Sequence, residues 1–294
     1  MKHCQPGILA DVPRLARYLS FTLKPDIDID TTRRLVREKL NLEHSVVGFG
    51  LELVLALGKD IDGLKPFPVL CGPGFTVPAT PSALWIWLQG DDRGELLQRC
   101  RGLAQDLSEA FVLHKVIDSF QYRDSRDLTG YEDGTENPDG EDAIKAGLVQ
   151  GVGPGMDGSS FVAVQQWIHD LDHFQELTQT ERDNIIGRRI SDNEELDEAP
   201  PSAHVKRTAQ EDFEPEAFIL RRSMPWADEH QAGLVFVAFG HSFDAFEALL
   251  TRMTGKEDGI CDALFRFSQP ISGSYYWCPP VKDGELDLSQ LGLS

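Results

Sequence analysis

Apolar and polar residues alternate in "ARYLSFTL", where Leu19, Phe21 and Leu23 interleave with Tyr18, Ser20 and Thr22. A period of two marks a strand with one face buried. The period then changes. Leu35, Val36 and Leu40 are spaced as the inner face of a helix, which Asp30 or Thr31 can cap. Two strand-like runs follow, "SVVGFGLELVLALG" and "SALWIWLQG", separated by a Pro- and Gly-rich loop at 65–81. Helical spacing returns with Leu96, Leu97, Cys100, Leu103, Ala104 and Leu107, and strand spacing in "FVLHKVIDSFQYR". The predicted order is β-α-β-β-α-β.

The second half repeats this order. "SSFVAVQQWIHD" reads as a strand, and 171–187 as one helix with Leu171, Phe174 and Leu177 turned inward. "EAFILRRSMPW" and "GLVFVAFG" read as strands, and Ser242 caps a helix carrying Phe243, Phe246, Leu249, Leu250 and Met253. A last strand begins near "ALFRFSQP". The repeat predicts an α+β fold of two tandem ferredoxin-like units, 1–145 and 146–294, arranged like a dimeric α+β barrel. Two segments break the pattern. One is an acidic loop joining the halves. The other is an insertion at 191–214, rich in Asp, Glu and Pro, that contains His204. Insertions of this length in a compact domain are functional or disordered. The ending "DGELDLSQLGLS" reads as a disordered terminus, with docking on a protein shell as the other reading.

Charge and cysteine usage narrow the class. The net charge of −20 argues against nucleic acid and against an anionic membrane surface as partners. The five cysteines are scattered and form no CxxC, so neither a disulfide framework nor a zinc site is expected. No run approaches the length of a membrane span, and the opening residues lack a continuous apolar stretch. A cytoplasmic protein is the expectation. No Walker loop or GxGxxG follows a strand, which argues against nucleotide binding.

The chemistry concentrates in three places. "GYEDGTENPDG" (130–140) sets four acids among three glycines and a proline. It can be a metal loop, a solvated turn or a mount for a catalytic acid. Registered on Gly140 as the sixth position, the calcium-loop pattern puts Thr135 first, Pro138 fourth and Ala146 last, where the first and last positions require acids, so that reading fails. His204, in "PPSAHVKRTAQ", is either an exposed histidine or a metal ligand. In "FILRRSMPW", alternation puts Arg221 on one face with Ile219 and Ser223, and Arg222 on the other with Phe218 and Leu220. One of these arginines is expected to face an anion or a carboxylate; the pattern does not decide which. His114 falls inside an alternating strand, as a core or pocket histidine. His169, His173, His230 and His241 lie near element ends, where exposure is expected.

Together, "GYEDGTENP", "HVKR" and "ILRRSMPW" resemble, in order and spacing, the dye-decolourising (DyP-type) haem peroxidases. The family's GxxDG pattern appears as Gly130-Tyr131-Glu132-Asp133-Gly134, and the chain is similar to the compact bacterial cytoplasmic members. The resemblance implies haem b bound in the second unit and an Asp/Arg distal pair, Asp133 and Arg221. It also implies His204 as axial ligand, supported by Asp262, with Gly134, Thr135 and Ser223 beside the cofactor. Ser223 stands where some relatives have Asn. The implied partners are hydrogen peroxide and small reductants, in a homo-oligomer. Tyr122, Tyr131, Tyr275, Tyr276 and Trp277 are candidates for carrying oxidising equivalents to the surface. The competing readings are a haem carrier or store with incidental peroxidase activity, and other haem chemistry such as iron release or chlorite decomposition.

An aspartate base has a legible consequence. Its unperturbed pKa of about 3.9 lies well below the value of about 6.5 for histidine. It therefore remains a usable base in mild acid, where a histidine would be protonated. Turnover is expected to be better on the acid side of neutrality. A rate that climbs steadily from about pH 5 to pH 9 counts against Asp133 as the unaided base.

Overall fold

Alternation along the strands sorts side chains into two separate cores, and that sorting closes the sheet. In the computed structural model, which describes residues 3–293, the first unit contributes β1 (Leu15–Leu23), β2 (Ser45–Phe49), β3 (Leu84–Gly90) and β4 (Phe111–Phe120). The second contributes β5 (Ser160–His169), β6 (Met224–Ala227), β7 (Ala232–Gly240) and β8 (Ser274–Cys278). The spatial order is β2-β3-β1-β4 in one unit and β8-β5-β7-β6 in the other, the same ferredoxin-like order twice. All of these pairings are antiparallel.

The two sheets join edge to edge. Trp277 pairs with Phe49 at one seam and Ser119 with Trp226 at the other, so the eight strands form a closed barrel. Closure removes most of the exposed edge that an open sheet would present. Inside the barrel, Tyr18 stacks on Trp85 and Trp87, and Trp85 on Tyr276. Outside it, Leu19, Phe21, Val47 and Ile86 pack under the helices Ile29–Lys39 and Arg93–Asp106. On the second unit, Asp244–Met253 covers the outer face through Phe243, Phe246, Leu249 and Leu250.

Several local expectations change. "SVVGFGLELVLALG" is not one strand. It is β2, Gly50, and then the helix Leu51–Ala56. Gly50 sits so close to the neighbouring chain that a Cβ there would lie 1.9 Å from the carbonyl oxygen of Ser82. The helix Ile29–Lys39 is capped by Asp28, which accepts from the Thr31 N–H, rather than by Asp30 or Thr31. The helix expected over 171–187 is two, Leu171–Glu176 and Gln179–Ile186. Thr178 and Glu181 form a reciprocal capping box that starts the second one. The 191–214 insertion is ordered and includes the short helix His204–Arg207.

The ending is not disordered. Val281–Lys282 and Glu285–Leu286 form a small hairpin, and Leu288, Leu291 and Leu293 are buried in the main core. Each such leucine contributes roughly 1.5–3 kcal/mol relative to exposure, enough to hold a short segment down. Docking on a shell cannot use these three side chains without removing them from the chain's own core. Among the described residues, no helix is long and apolar enough to cross a membrane.

The Gly50 contact gives a stability prediction. Replacing Gly50 by Ala is expected to lower unfolding stability by about 1–3 kcal/mol through overpacking against backbone. Chemical denaturation followed by tryptophan fluorescence measures it.

Candidate active site

The outer face of the second sheet is only partly covered by its helix, and the uncovered part is the floor of a cavity of about 310 Å³. Alternation on β5 turns Gln165, Trp167 and His169 toward the cavity, while Val164 and Ile168 pack toward the barrel interior. On β7, Leu234 and Phe236 face the same way. The helix Asp244–Met253 supplies Phe246, Leu249, Leu250 and Met253 as an apolar wall. The loop 127–136 and the insertion around His204 complete the enclosure.

The same alternation settles the arginine pair. Ile219 and Arg221 line the cavity, whereas Leu220 is buried in the barrel core. Arg222 is turned away, donating to the carbonyls of Arg221 (3.0 Å) and Leu9 (3.2 Å). Burial holds its pKa below the ordinary arginine value. Arg221 is therefore the arginine at the site.

Asp133 arrives on the acidic loop. Gly130 (φ +93°) and Gly134 (φ +80°) occupy left-handed conformations that bend the chain sharply around it. Its Oδ1 lies 3.7 Å from Nη1 of Arg221, an ion pair without a direct hydrogen bond. Both side chains remain about a fifth exposed, opening on the cavity. Burial pushes the Asp133 carboxyl above the ordinary carboxylate range. The Arg221 charge opposes this, the neighbouring Asp127 adds to it, and the Gly134 N–H and His204 oppose it more weakly. Burial wins, so Asp133 is a stronger base than a free aspartate.

Glu132 and Glu136 of the same loop sit at the cavity rim, each paired with an arginine. Glu132 meets Arg126 at 2.8 Å, and Glu136 meets Arg188 at 2.6 Å. Thr135 is exposed at the rim, its hydroxyl accepting from Asn193 Nδ2 at 3.0 Å. Ser223 does not reach the main cavity. It lines a smaller recess of about 40 Å³ behind Asp133 and Arg221, and its hydroxyl accepts from the Val237 N–H at 3.4 Å.

His204 begins its short helix with Nδ1 2.7 Å from Oδ2 of Asp262. The carboxylate accepts there, which fixes the tautomer and leaves the Nε2 lone pair free on a cavity-lining ring. Asp262 is buried, and its other oxygen accepts from the Leu264 N–H at 2.8 Å. The Ala263 N–H donates to Ser202 O at 2.7 Å, tying the segment of Asp262 to that of His204. Asp133, Arg221, His204, Gly134 and Thr135 all line one cavity, while Asp262 stands behind His204.

One pair was not anticipated. His169, expected to be exposed, is buried between Asp127 (Nε2 to Oδ2, 3.1 Å) and Ser268 (Nδ1 to Oγ, 2.7 Å) and faces the cavity. Burial pushes Asp127 up, but hydrogen bonds from His169 and Thr129 outweigh it and hold its carboxyl below the usual value. The signal was the spacing of His169 with Gln165 and Trp167; reading it requires knowing that this face lines a cavity. His114, by contrast, is exposed rather than in a core or pocket. Of the proposed surface aromatics, Tyr131, Tyr275, Tyr276 and Trp277 are buried, and only Tyr122 is partly exposed.

Comparison with known proteins identifies the family. The family model described as "Dyp-type peroxidase, C-terminal" matches residues 124–283. A dye-decolorizing peroxidase from Mycolicibacterium paratuberculosis is 30% identical over 247 residues, covering 79% of this chain and 70% of the relative. A putative Dyp-type peroxidase structure from Shewanella oneidensis superposes with a TM-score of 0.87 at 28% identity, covering 99% of this chain and 98% of that one. A variant of DypB from Rhodococcus jostii, solved in complex with heme, gives 0.84 at 26% identity, covering 92% and 94%. On the family model and these relatives, the chain belongs to the Dyp-type peroxidase family.

Proposed function

We propose that this enzyme is a haem peroxidase in which Asp133 and Arg221 are the distal pair and His204, backed by Asp262, is the axial ligand. The observation that carries the reading is the shared cavity: an acid–base pair and a histidine with a free Nε2 open onto the same apolar space. The cavity suits haem b. Its walls are apolar on the helix side, the His204 Nε2 opens on it without a protein partner, and Gln165 leaves a buried Nε2 without a protein partner at its floor. In this reading residues 1–145 supply Asp133, with Gly134 and Thr135 beside the cofactor. Residues 146–294 supply Arg221, His204 and Asp262.

Held there by His204, haem b would supply the redox chemistry, its iron and porphyrin together accommodating the two oxidising equivalents of hydrogen peroxide. The chain supplies the proton path and the charge. Asp133 accepts the proton from one peroxide oxygen and returns it to the other, so the O–O bond breaks with water as the departing product. Arg221, cationic at any working pH, stabilises the negative charge that develops along that bond. Asp262 holds the His204 ring in one orientation and raises the basicity of Nε2. Ser223, in the recess behind the pair, adds a hydroxyl to that side of the site. The electrons return from small reductants such as dyes and phenols, and the net charge of −20 favours cationic or neutral ones. A carrier or store needs the ligand and the apolar pocket but not the Asp133–Arg221 pair.

Two outcomes test this. The His204→Ala protein is expected to lose haem or change its absorption spectrum, and Asp262→Asn to weaken haem binding by about 10–100-fold. Haem titration followed by absorbance measures both; normal haem content and an unaltered spectrum in His204→Ala contradict the ligand assignment. The second outcome concerns pH. Asp133 acts as a base only when ionised, so the peroxide reaction slows as pH falls through its raised pKa. Arg221→Leu removes the charge that opposes burial, and the acid limb of the stopped-flow rate profile is expected to move to higher pH.

A further inference from the structure

The distal pair does not hold itself together. At 3.7 Å the Asp133 and Arg221 side chains make no hydrogen bond to each other, which leaves their donors and acceptors free for a substrate. Neither therefore fixes the position of the other, and they come from opposite halves of the chain. A misplacement of about 1 Å costs on the order of 10²-fold in rate. Something else must set the register.

Two side-chain carboxamides are placed to do so. The Asn137 Oδ1 accepts from the Arg221 N–H at 2.8 Å, and its Nδ2 donates to the Arg221 carbonyl at 2.9 Å. This is the two-point pairing that a neighbouring strand would make. Leu220–Arg221 pairs with Phe239 and Ala238 of β7 on one side, and Asn137 serves its other side. The backbone N–H of Asn137 donates to Gly134 O at 2.9 Å, closing the turn that follows Asp133. Gln210, buried in the insertion, extends the arrangement. Its Nε2 donates to Glu136 O at 3.1 Å, and its Oε1 accepts from the Ile219 N–H at 3.0 Å. Loop, strand and the segment carrying His204 are thus joined through two amide groups.

We infer that Asn137 and Gln210 are positioning residues for the peroxide reaction: Asn137 sets the distance between the Asp133 carboxylate and the Arg221 guanidinium, and Gln210 ties both to the His204 segment. The inference rests on the assignment of Asp133 and Arg221 as the distal pair. Without the Asn137 clamp, the Arg221 backbone is free to drift from the loop. The charge that opposes burial of Asp133 then weakens, and Asp133 stays protonated to higher pH.

The test is a double-mutant cycle on the haem-loaded full chain. Stopped-flow rate constants for the first peroxide-induced spectral change are measured against pH for wild type, Asn137→Ala, Arg221→Leu and the double variant. Asn137→Ala is expected to slow the reaction by about tenfold or more, with its acid limb at higher pH and its haem content unchanged. In the Arg221→Leu background the same change is expected to cost less than about twofold, because its effect runs through Arg221. Hydrogen exchange at the Arg221 amide, read by mass spectrometry, is expected to quicken in Asn137→Ala. Asn137→Gln, which keeps the amide but moves it by one methylene, is expected to show the same signs and replaces Ala should that variant not fold. Equal losses in both Arg221 backgrounds, or an acid limb that does not move, overturn the inference. An Arg221→Leu enzyme as fast as wild type overturns the underlying assignment of Arg221 instead, and this inference falls with it.

Discussion

A carboxylate has to be buried enough to act as a base, yet stay ionised beside a cation it does not bond. In the proposed reaction that constraint governs the Asp133–Arg221 pair. Burial raises the Asp133 pKa and the guanidinium, 3.7 Å away, restrains the rise. A shorter, hydrogen-bonded pair would occupy the groups that the proposed reaction offers to peroxide and would hold the carboxyl lower. A more distant arginine would restrain that rise less. The useful range of separation is narrow, and neither side chain can enforce it on the other.

The barrel makes that separation possible. Two copies of one strand order meet at seams as slight as one residue pair each, Trp277 with Phe49 and Ser119 with Trp226. The large aromatic interior supplies cohesion that the seams do not, since Tyr18, Trp85, Trp87 and Tyr276 are all buried there and stack across strands. Closure brings the loop after β4 over the outer face of the second sheet. Asp133 then meets Arg221, and the insertion of the second unit brings His204 to the same cavity. The acidic turn is thus split in role: Asp133 faces inward, while Glu132 and Glu136 pair with arginines at the rim.

Much of this was legible as period. Seven of the eight barrel strands lie within the alternating or apolar runs read as strands; the last, Ser274–Cys278, lies beyond the run expected to begin it, where Ala263–Arg266 instead forms a short 3-10 turn. The resemblance of three short segments pointed to the residues that the fold brings together. The failures have physical causes. Gly50 ends a strand because backbone passes too close for any side chain, which an apolar run does not reveal. A capping box divides 171–187 although its apolar spacing is continuous. Arg221 and Arg222 are equivalent until one knows which sheet face carries a cavity, and the same ignorance hid His169. The tail read as a disordered terminus, yet three of its four leucines are buried in the main core. In each case the missing information was the identity of a neighbour distant in sequence.

The most direct measurement follows the absorption spectrum of the haem-loaded protein after stoichiometric hydrogen peroxide is added, in wild type and in Asp133→Asn. The substitution removes the proposed base while leaving His204, Asp262 and the apolar walls in place. Both proteins are expected to carry the same haem band, with the spectral response of Asp133→Asn slower by about 10²-fold or more. Equal rates in the two proteins would contradict it.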